Sequence, residues 1–291
     1  MRSLNIIGAG RAGSTLGRLW ARAGTFAIGD VLDRTQELAA DAVEFIGSGR
    51  AVGAPADMHA ADVWMLTPPD DQIIACGKAL AASGVLQPGN VVFHISGASP
   101  SRELAAVMRP GARIASVHPL RSFADPALAA QTFSGTYCAA EGDADALAVL
   151  RPAFESVGAH VSAIDPAFKT VYHAASVIVS NYLAALMEAG LRSYGKSGLG
   201  RGEALRMMEP LVRETVDNVF RLGTVDALTG PIARGDGAVI TRQIDALTAW
   251  DPGVAAIYRQ LGAIALELAR AQAKADPKAL DAIARTLGTA K

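Results

Sequence analysis

Apolar residues follow two rhythms along this chain. In the first half, short apolar runs at residues 4–7, 26–32, 62–66, 91–95, 113–117 and 136–140 each end in glycine, proline or a polar turn. Runs of that length, without polar alternation, fit strands buried on both faces of a parallel sheet. Helical spacing fills the gaps at 14–23, 35–45 and 70–83, and Gly24 stops the first helix. Strands alternating with helices from the first residue predict an α/β fold with a doubly wound parallel sheet. Near Asp165-Pro166 the rhythm changes to long helical patterns at 168–194, 202–222, 237–249, 252–274 and 277–287. The expected organisation is an α/β domain over 1–165 and an all-helical domain over 166–291.

The first strand runs into Gly8-Ala9-Gly10-Arg11-Ala12-Gly13, a G-x-G-x-x-G loop that opens the first helix. The first glycine permits the tight turn, the second lets the backbone approach a pyrophosphate, and the third lets helix pack on strand. The helix N-terminus then offers free N–H groups and a partial positive charge to the phosphates. Asp33 follows at the end of the second strand, where a carboxylate accepts hydrogen bonds from an adenosine ribose and repels a 2′-phosphate. Arg34 comes next, and a guanidinium there suits that same phosphate or stacks on adenine. NAD and NADP both remain open at this stage. Thr67-Pro68-Pro69 and Ser96-Gly97 end two further strands, where open α/β sheets bind their ligands.

A second candidate lies on the helix after Pro166. Lys169, His173, Ser176 and Ser180 are spaced to share one face of a helix whose neighbours are apolar or small. A lysine and a histidine on such a helix need partners, because unpaired buried polar groups are costly. As a site, the stripe supplies a proton to an oxygen that gains negative charge during carbonyl reduction. As a structural seam, it only joins helices. Asn181 sits about 100° away on the same helix. His118, after a strand and before Pro119, and Arg234, in the turn 229–236, are weaker candidates for binding substrate.

Composition narrows the classes. With 291 residues and 51% hydrophobic content the chain has material for large cores. A net charge of −1 without a basic cluster argues against nucleic acid and anionic membrane surfaces as partners. Cys76 and Cys138 are the only cysteines, and no metal-ligand spacing occurs, so neither a disulfide scaffold nor a metal site is expected. A sequence that opens on a strand leaves no room for a signal peptide, and no apolar run approaches the length of a membrane span, so a cytoplasmic protein is expected. The alanine-rich helical half suits a homodimer.

The glycine loop, the segment 61–70 and Val92-Phe93-His94-Ile95-Ser96-Gly97 resemble the 6-phosphogluconate-dehydrogenase-like group, which includes ketopantoate reductase and pyrroline-5-carboxylate reductase. More narrowly, His118-Pro119-Leu120, Phe133-Ser134-Gly135, Tyr172-His173-Ala174-Ala175, Ser180-Asn181-Tyr182 and the segment 228–236 resemble one subgroup, which joins a Rossmann-like half to a helical domain of unknown function. The resemblance implies NAD(P)H bound across the strand ends, a helical dimerisation domain, and reduction of a small carbonyl or imine. The residues expected to contact that cofactor are those of the loop, the acid–base pair and the strand ends: Gly8, Gly10, Arg11, Ala12, Gly13, Asp33, Arg34, Thr67, Pro68, Pro69 and Ser96. Lys169 matches a catalytic lysine of that group, while His173 stands where an asparagine is usual, and Ser180 and Asn181 complete the catalytic candidates. The leading expectation is an NAD(P)-dependent oxidoreductase. A non-catalytic dinucleotide-binding redox sensor or scaffold is the alternative, and an imine reductase a third reading.

Overall fold

Two strand faces and the helices that cover them account for the first unit of the fold. The structure, a computed structural model, describes residues 1–289. It divides into two compact units, Met1–Asn181 and Tyr182–Lys291. In the first, β1 (Arg2–Ile7), α1 (Arg11–Ala23), β2 (Phe26–Leu32), α2 (Gln36–Ile46), β3 (Arg50–Val52), β4 (Val63–Leu66), α3 (Ile73–Ala82) and β5 (Val91–His94) follow in order. Then come β6 (Arg113–Pro119), α4 (Pro126–Gln131), β7 (Tyr137–Gly142), α5 (Ala144–Glu155), β8 (His160–Ala163) and α6 (Lys169–Val179).

The strands form one eight-stranded sheet in the order β3-β2-β1-β4-β5-β6-β7-β8. Every neighbouring pair is parallel except β6 with β7. The chain runs outward from β1 to β3, then returns to β4 on the other side of β1. That reversal leaves a crevice at the C-terminal ends of β1 and β4, the place where open α/β sheets receive ligands.

Side-chain alternation along the strands explains the double covering. Leu4, Ile6, Val63, Met65 and Phe93 point to one face, where they meet Leu16 and Trp20 of α1 and Phe154 of α5. Ile7, Trp64, Leu66 and Val92 point to the other and pack on Ile73 and Leu80 of α3. Trp20 anchors the first face. Its ring stands edge-on to Phe26 and Phe154 at 5.3 and 5.1 Å, and its Nε1 donates to the Ala153 carbonyl at 2.8 Å.

The second unit is helical: α7 (Asn181–Lys196, beginning one residue earlier), α8 (Arg201–Ala227), α9 (Pro231–Arg234), α10 (Gly237–Trp250), α11 (Pro252–Gln272) and α12 (Pro277–Leu287). Ile232, Ile240, Ile244, Leu266, Ile283 and Leu287 form its main core. Asp251 starts α11 by accepting the N–H groups of Gly253 and Val254 at 2.9 and 3.1 Å. Gly223 adopts φ +79° and breaks the helical path of α8, where the sequence pattern also ends its helix.

Four expectations change. The helix expected over 168–194 is two helices, because the backbone turns away at Ser180 (φ −115°, ψ −73°). A β-branched run, Val177-Ile178-Val179, and two residues whose side chains compete for backbone groups weaken the helix there. The division falls after Asn181 rather than at 165, because α6 is bound to the sheet unit through Lys169. The segment 70–83 opens with a 3-10 turn at Asp70–Gln72 before α3. Finally, Pro166–Lys196 is long and apolar enough to cross a membrane, with a mean hydropathy of 1.4 over an 18-residue stretch of which 6% is buried. The sequence predicts no span, and the backbone break at Ser180 interrupts this one.

Candidate active site

Two of the three glycines of the first loop have a steric reason within the protein itself. Gly8 sits at φ +83°, and a Cβ there would lie 2.6 Å from the Pro68 nitrogen, so the loop after β4 passes directly beside it. Thr67 ties the two strand ends together, its N–H donating to the Ile7 carbonyl at 2.8 Å and its hydroxyl to the Gly8 carbonyl. A Cβ on Gly13 would strike the Thr67 hydroxyl and come within 2.9 Å of the Gly8 carbonyl. Gly10 differs: nothing lies within 4 Å of where its Cβ would be.

That open space lies at the start of α1. The first helical bond runs from the Ser14 N–H to the Gly10 carbonyl at 2.9 Å, and the N–H groups of Arg11, Ala12 and Gly13 find no backbone acceptor among the described residues. They face a groove of about 740 Å³ whose wall includes Gly10, Arg11, Asp33, Arg34, Leu38 and Pro68. Such unpaired donors at a helix start form an anion cradle. Asp33 turns one carboxylate oxygen to the N–H of Arg34 at 2.7 Å. The Arg34 guanidinium has neither a hydrogen bond nor an ion pair among the described residues.

Farther along the strand ends lies a buried polar network. Lys169, 1% exposed, donates to Glu141 Oε1 at 3.0 Å and to the Ser116 hydroxyl. Glu141, on β7, also accepts the backbone N–H of Ser101 at 2.7 Å and its hydroxyl at 2.6 Å. Burial pushes the Lys169 ammonium below the ordinary lysine value, and Glu141 opposes that shift. The sequence casts Lys169 as a proton donor in a stripe open to substrate. In the structure its ammonium is shut away and committed to a carboxylate and a hydroxyl, so it ties α6 to β6 and β7.

His94 lies in the same network. The Ser96 N–H approaches its Nδ1 at 3.2 Å, and its Nε2 lies 3.3 Å from the Pro100 carbonyl. Burial, reinforced by the Lys169 charge, holds His94 at about 4, so it is neutral at ordinary pH. The Ser96 hydroxyl donates to Asp70 at 2.8 Å, which links the end of β5 to the loop after β4.

The third cluster is at the end of β6. His118 Nδ1 lies 3.0 Å from the Tyr172 hydroxyl, and the His118 and His173 rings are 5.9 Å apart. His173 Nδ1 is buried with no hydrogen-bond partner. Gly97 makes this approach possible, since a Cβ there would lie 2.5 Å from His173 Nδ1 and 2.8 Å from His118 Nε2. Burial, with His173 and Lys169 nearby, holds His118 at about 4.

Of the stripe, Lys169 and His173 therefore lie near the strand ends in different roles. Ser176 bonds back to the Tyr172 carbonyl at 3.4 Å, and Ser180 and Asn181 are exposed at the helix break. Arg234 pairs with Asp236 at 3.0 Å on the surface of the second unit. Sequence reasoning passed over Glu141 and Tyr172 as chemical groups. Both left a signal: an acid closing an otherwise apolar strand, and a hydroxyl three residues after Lys169, on the same helical face.

Comparison with known proteins agrees with this architecture. Residues 1–119 match the Rossmann-like domain, and residues 136–264 match a domain of unknown function, DUF2520. The chain therefore carries these two domains one after the other. Protein TM1727 from Thermotoga maritima is 27% identical over 93% of this chain and 100% of its own, with a TM-score of 0.74. An imine reductase from Myxococcus stipitatus in complex with NADP+ shares the fold at 17% identity, covering 98% of this chain and 99% of its own, TM-score 0.62. A pyrroline-5-carboxylate reductase from Coxiella burnetii does so at 15% identity, covering 100% and 99%, TM-score 0.55. No curated protein matches the sequence.

The two neutral histidines make acid stability a test of this site. Both have folded values near 4 against an ordinary 6.5, so between those limits the unfolded chain binds protons that the folded one refuses. Stability is therefore full above about pH 6.5 and is lost as pH falls towards 4. Protonation of His94 alone is expected to cost on the order of 2–3 kcal/mol at the acid end. Urea midpoints at about pH 7.5, 5.5 and 4.5 measure this, and His94→Gln flattens the slope. A midpoint constant over that range contradicts the assignment.

Proposed function

We propose that this protein is a nicotinamide-dinucleotide-dependent oxidoreductase that reduces a small carbonyl- or imine-bearing metabolite, with NADP(H) as its cofactor. The observation that carries this reading is the vacant space over Gly10, faced by unpaired N–H groups at the start of α1. Nothing in the protein's own packing requires glycine at that position, whereas a pyrophosphate drawn close to the backbone does. The bound nicotinamide supplies or takes a hydride. This chain's residues do the rest: the loop holds the phosphates, and Thr67, Pro68, Pro69 and Ser96 shape the floor at the strand ends.

The choice of NADP(H) rests on the Asp33-Arg34 pair. One Asp33 oxygen is occupied by the loop's own backbone, and Arg34 keeps its guanidinium free for a 2′-phosphate. The imidazoles of His118 and His173 favour an enzyme over a sensor. They place hydrogen-bonding nitrogens beside Gly97, at the strand end next to β4, where a sensor needs none.

We also propose that the protein works as a cytoplasmic homodimer. Twelve large apolar side chains of the second unit are exposed, among them Leu186, Met207, Leu211, Phe220, Leu261 and Ile264. An apolar groove of about 600 Å³ runs between α7, α8 and α11. Phe220, at 87%, is the most exposed of them, and exposed apolar side chains in such number mark a contact surface. A second copy suits this face better than lipid, because Glu188 and Arg192 of α7 are held in ion pairs with Arg201 and Asp251.

Three measurements test these statements. Gly10→Ala is expected to leave the unliganded melting temperature nearly unchanged and to weaken NADPH binding at least about tenfold. Wild-type affinity in that variant would remove the loop from cofactor binding. Arg34→Ala should weaken NADPH about tenfold while barely affecting NADH; equal losses for both cofactors would contradict a grip on the 2′-phosphate. Light scattering during size exclusion should give twice the 30.0 kDa chain mass, and Phe220→Glu should shift the protein towards monomer. A monomeric wild type, or one that partitions into phospholipid vesicles, would overturn the dimer.

A further inference from the structure

The sequence places Ser96 among the cofactor contacts, but its surroundings give its hydroxyl another task. The hydroxyl hydrogen goes to Asp70 Oδ2 at 2.8 Å, and the oxygen accepts the N–H groups of Ala98 and Ser99 at 3.2 and 3.0 Å. A serine hydroxyl has one hydrogen and two lone pairs, so nothing is left over for a ligand. Ser96, buried at the end of β5, instead holds the Asp70 carboxylate in place. Asp70 stands between Pro69 and Gln72, both of which line the groove at the start of α1.

The strand order decides which half of a dinucleotide this carboxylate meets. The start of α1, at the end of β1, suits the pyrophosphate, and Asp33 and Arg34 at the end of β2 suit the adenosine. The nicotinamide half then extends the other way, over the ends of β4 and β5, where Asp70 and Ser96 lie. Charge there is one-sided. Lys169 is paired with Glu141 at 3.0 Å, and His94 and His118, held at about 4 chiefly by burial, are neutral. Asp70 has no ion pair among the described residues, and it is near enough to oppose the effect of burial at Lys169 and at both histidines. Its neighbour Asp71 carries the same sign.

An oxidised nicotinamide ring bears a positive charge that the reduced ring lacks. We propose that Asp70, fixed by Ser96, strengthens the binding of NADP+ relative to NADPH and so makes bound NADPH the better hydride donor. Resting on the dinucleotide reading, this makes Asp70 an electrostatic determinant of the reaction and Ser96 its positioning residue. Asp70 stabilises the charge left when hydride, with its electron pair, passes from the ring to a carbonyl or imine carbon, whose heteroatom takes a proton from water.

Calorimetric titration with NADP+ and NADPH gives the two dissociation constants, and 2′-phospho-ADP-ribose, which lacks nicotinamide, serves as the reference probe. Asp70→Asn keeps an acceptor for Ser96 and removes the charge. It is expected to weaken NADP+ about fivefold relative to NADPH, and to change 2′-phospho-ADP-ribose far less. An Asp70 that serves only the start of α3 shifts all three ligands equally, and that result overturns the proposal. So does an unchanged ratio, or one that moves towards NADP+. In the wild type, raising salt from about 50 to about 500 mM should shift the same ratio towards NADPH, because screening weakens the carboxylate's pull. A ratio constant with salt overturns the proposal even if the variant misfolds. Failure of the wild type to bind either cofactor removes the dinucleotide reading and this inference with it; binding of both with no charge-dependent ratio removes this inference alone.

Discussion

A lysine ammonium buried to within 1% of full enclosure, held by Glu141 and Ser116, governs how the sheet unit is built around its candidate site. Two charges taken from water are tolerated only when geometry and further hydrogen bonds compensate them. Here the carboxylate takes two more donors from Ser101, so each atom of the pair has a defined place. The consequence is positional. Lys169 opens α6, and once its ammonium is fixed between β6 and β7, Tyr172 and His173 come to rest one helical turn later beside His118 and Gly97.

The sheet then divides the chemistry along its C-terminal edge. At the reversal between β1 and β4, backbone does the work: Gly8 and Gly13 let strand, loop and helix close on Thr67, and Gly10 leaves room for an anion. Two strand positions farther, side chains take over, with Ser96 and Asp70 linking the two regions by a 2.8 Å hydrogen bond. The two regions obey different constraints. The first depends on the absence of a Cβ and tolerates little variation at its glycines. The second depends on burial, which keeps His94 and His118 neutral.

The second unit carries a different kind of information. Its core is small for its length, and much of its apolar surface faces outward on α7, α8 and α11. Glu188 and Arg192 of α7 pair with Arg201 and Asp251, while leucines beside them stay exposed. The wide apolar window at Pro166–Lys196 belongs to the same pattern, and it is interrupted where Ser180 bends the chain.

The sequence by itself determined the class of fold, the strands that build its centre and the glycine loop. These depend on local rules: apolar runs between turn residues, and a steric code read over six consecutive positions. It was less able to show β3 and β8, short edge strands with little apolar alternation, or the break at Ser180, which interrupts a pattern that stays apolar. It aligned Lys169 and His173 correctly on one face, yet gave no sign that their roles separate. That was decided by tertiary structure, because Lys169 meets Glu141 from 28 positions away and His118 meets Tyr172 from 54 away. Burial and pairing of charge are properties of what lies across the sheet, and no spacing along the chain records them.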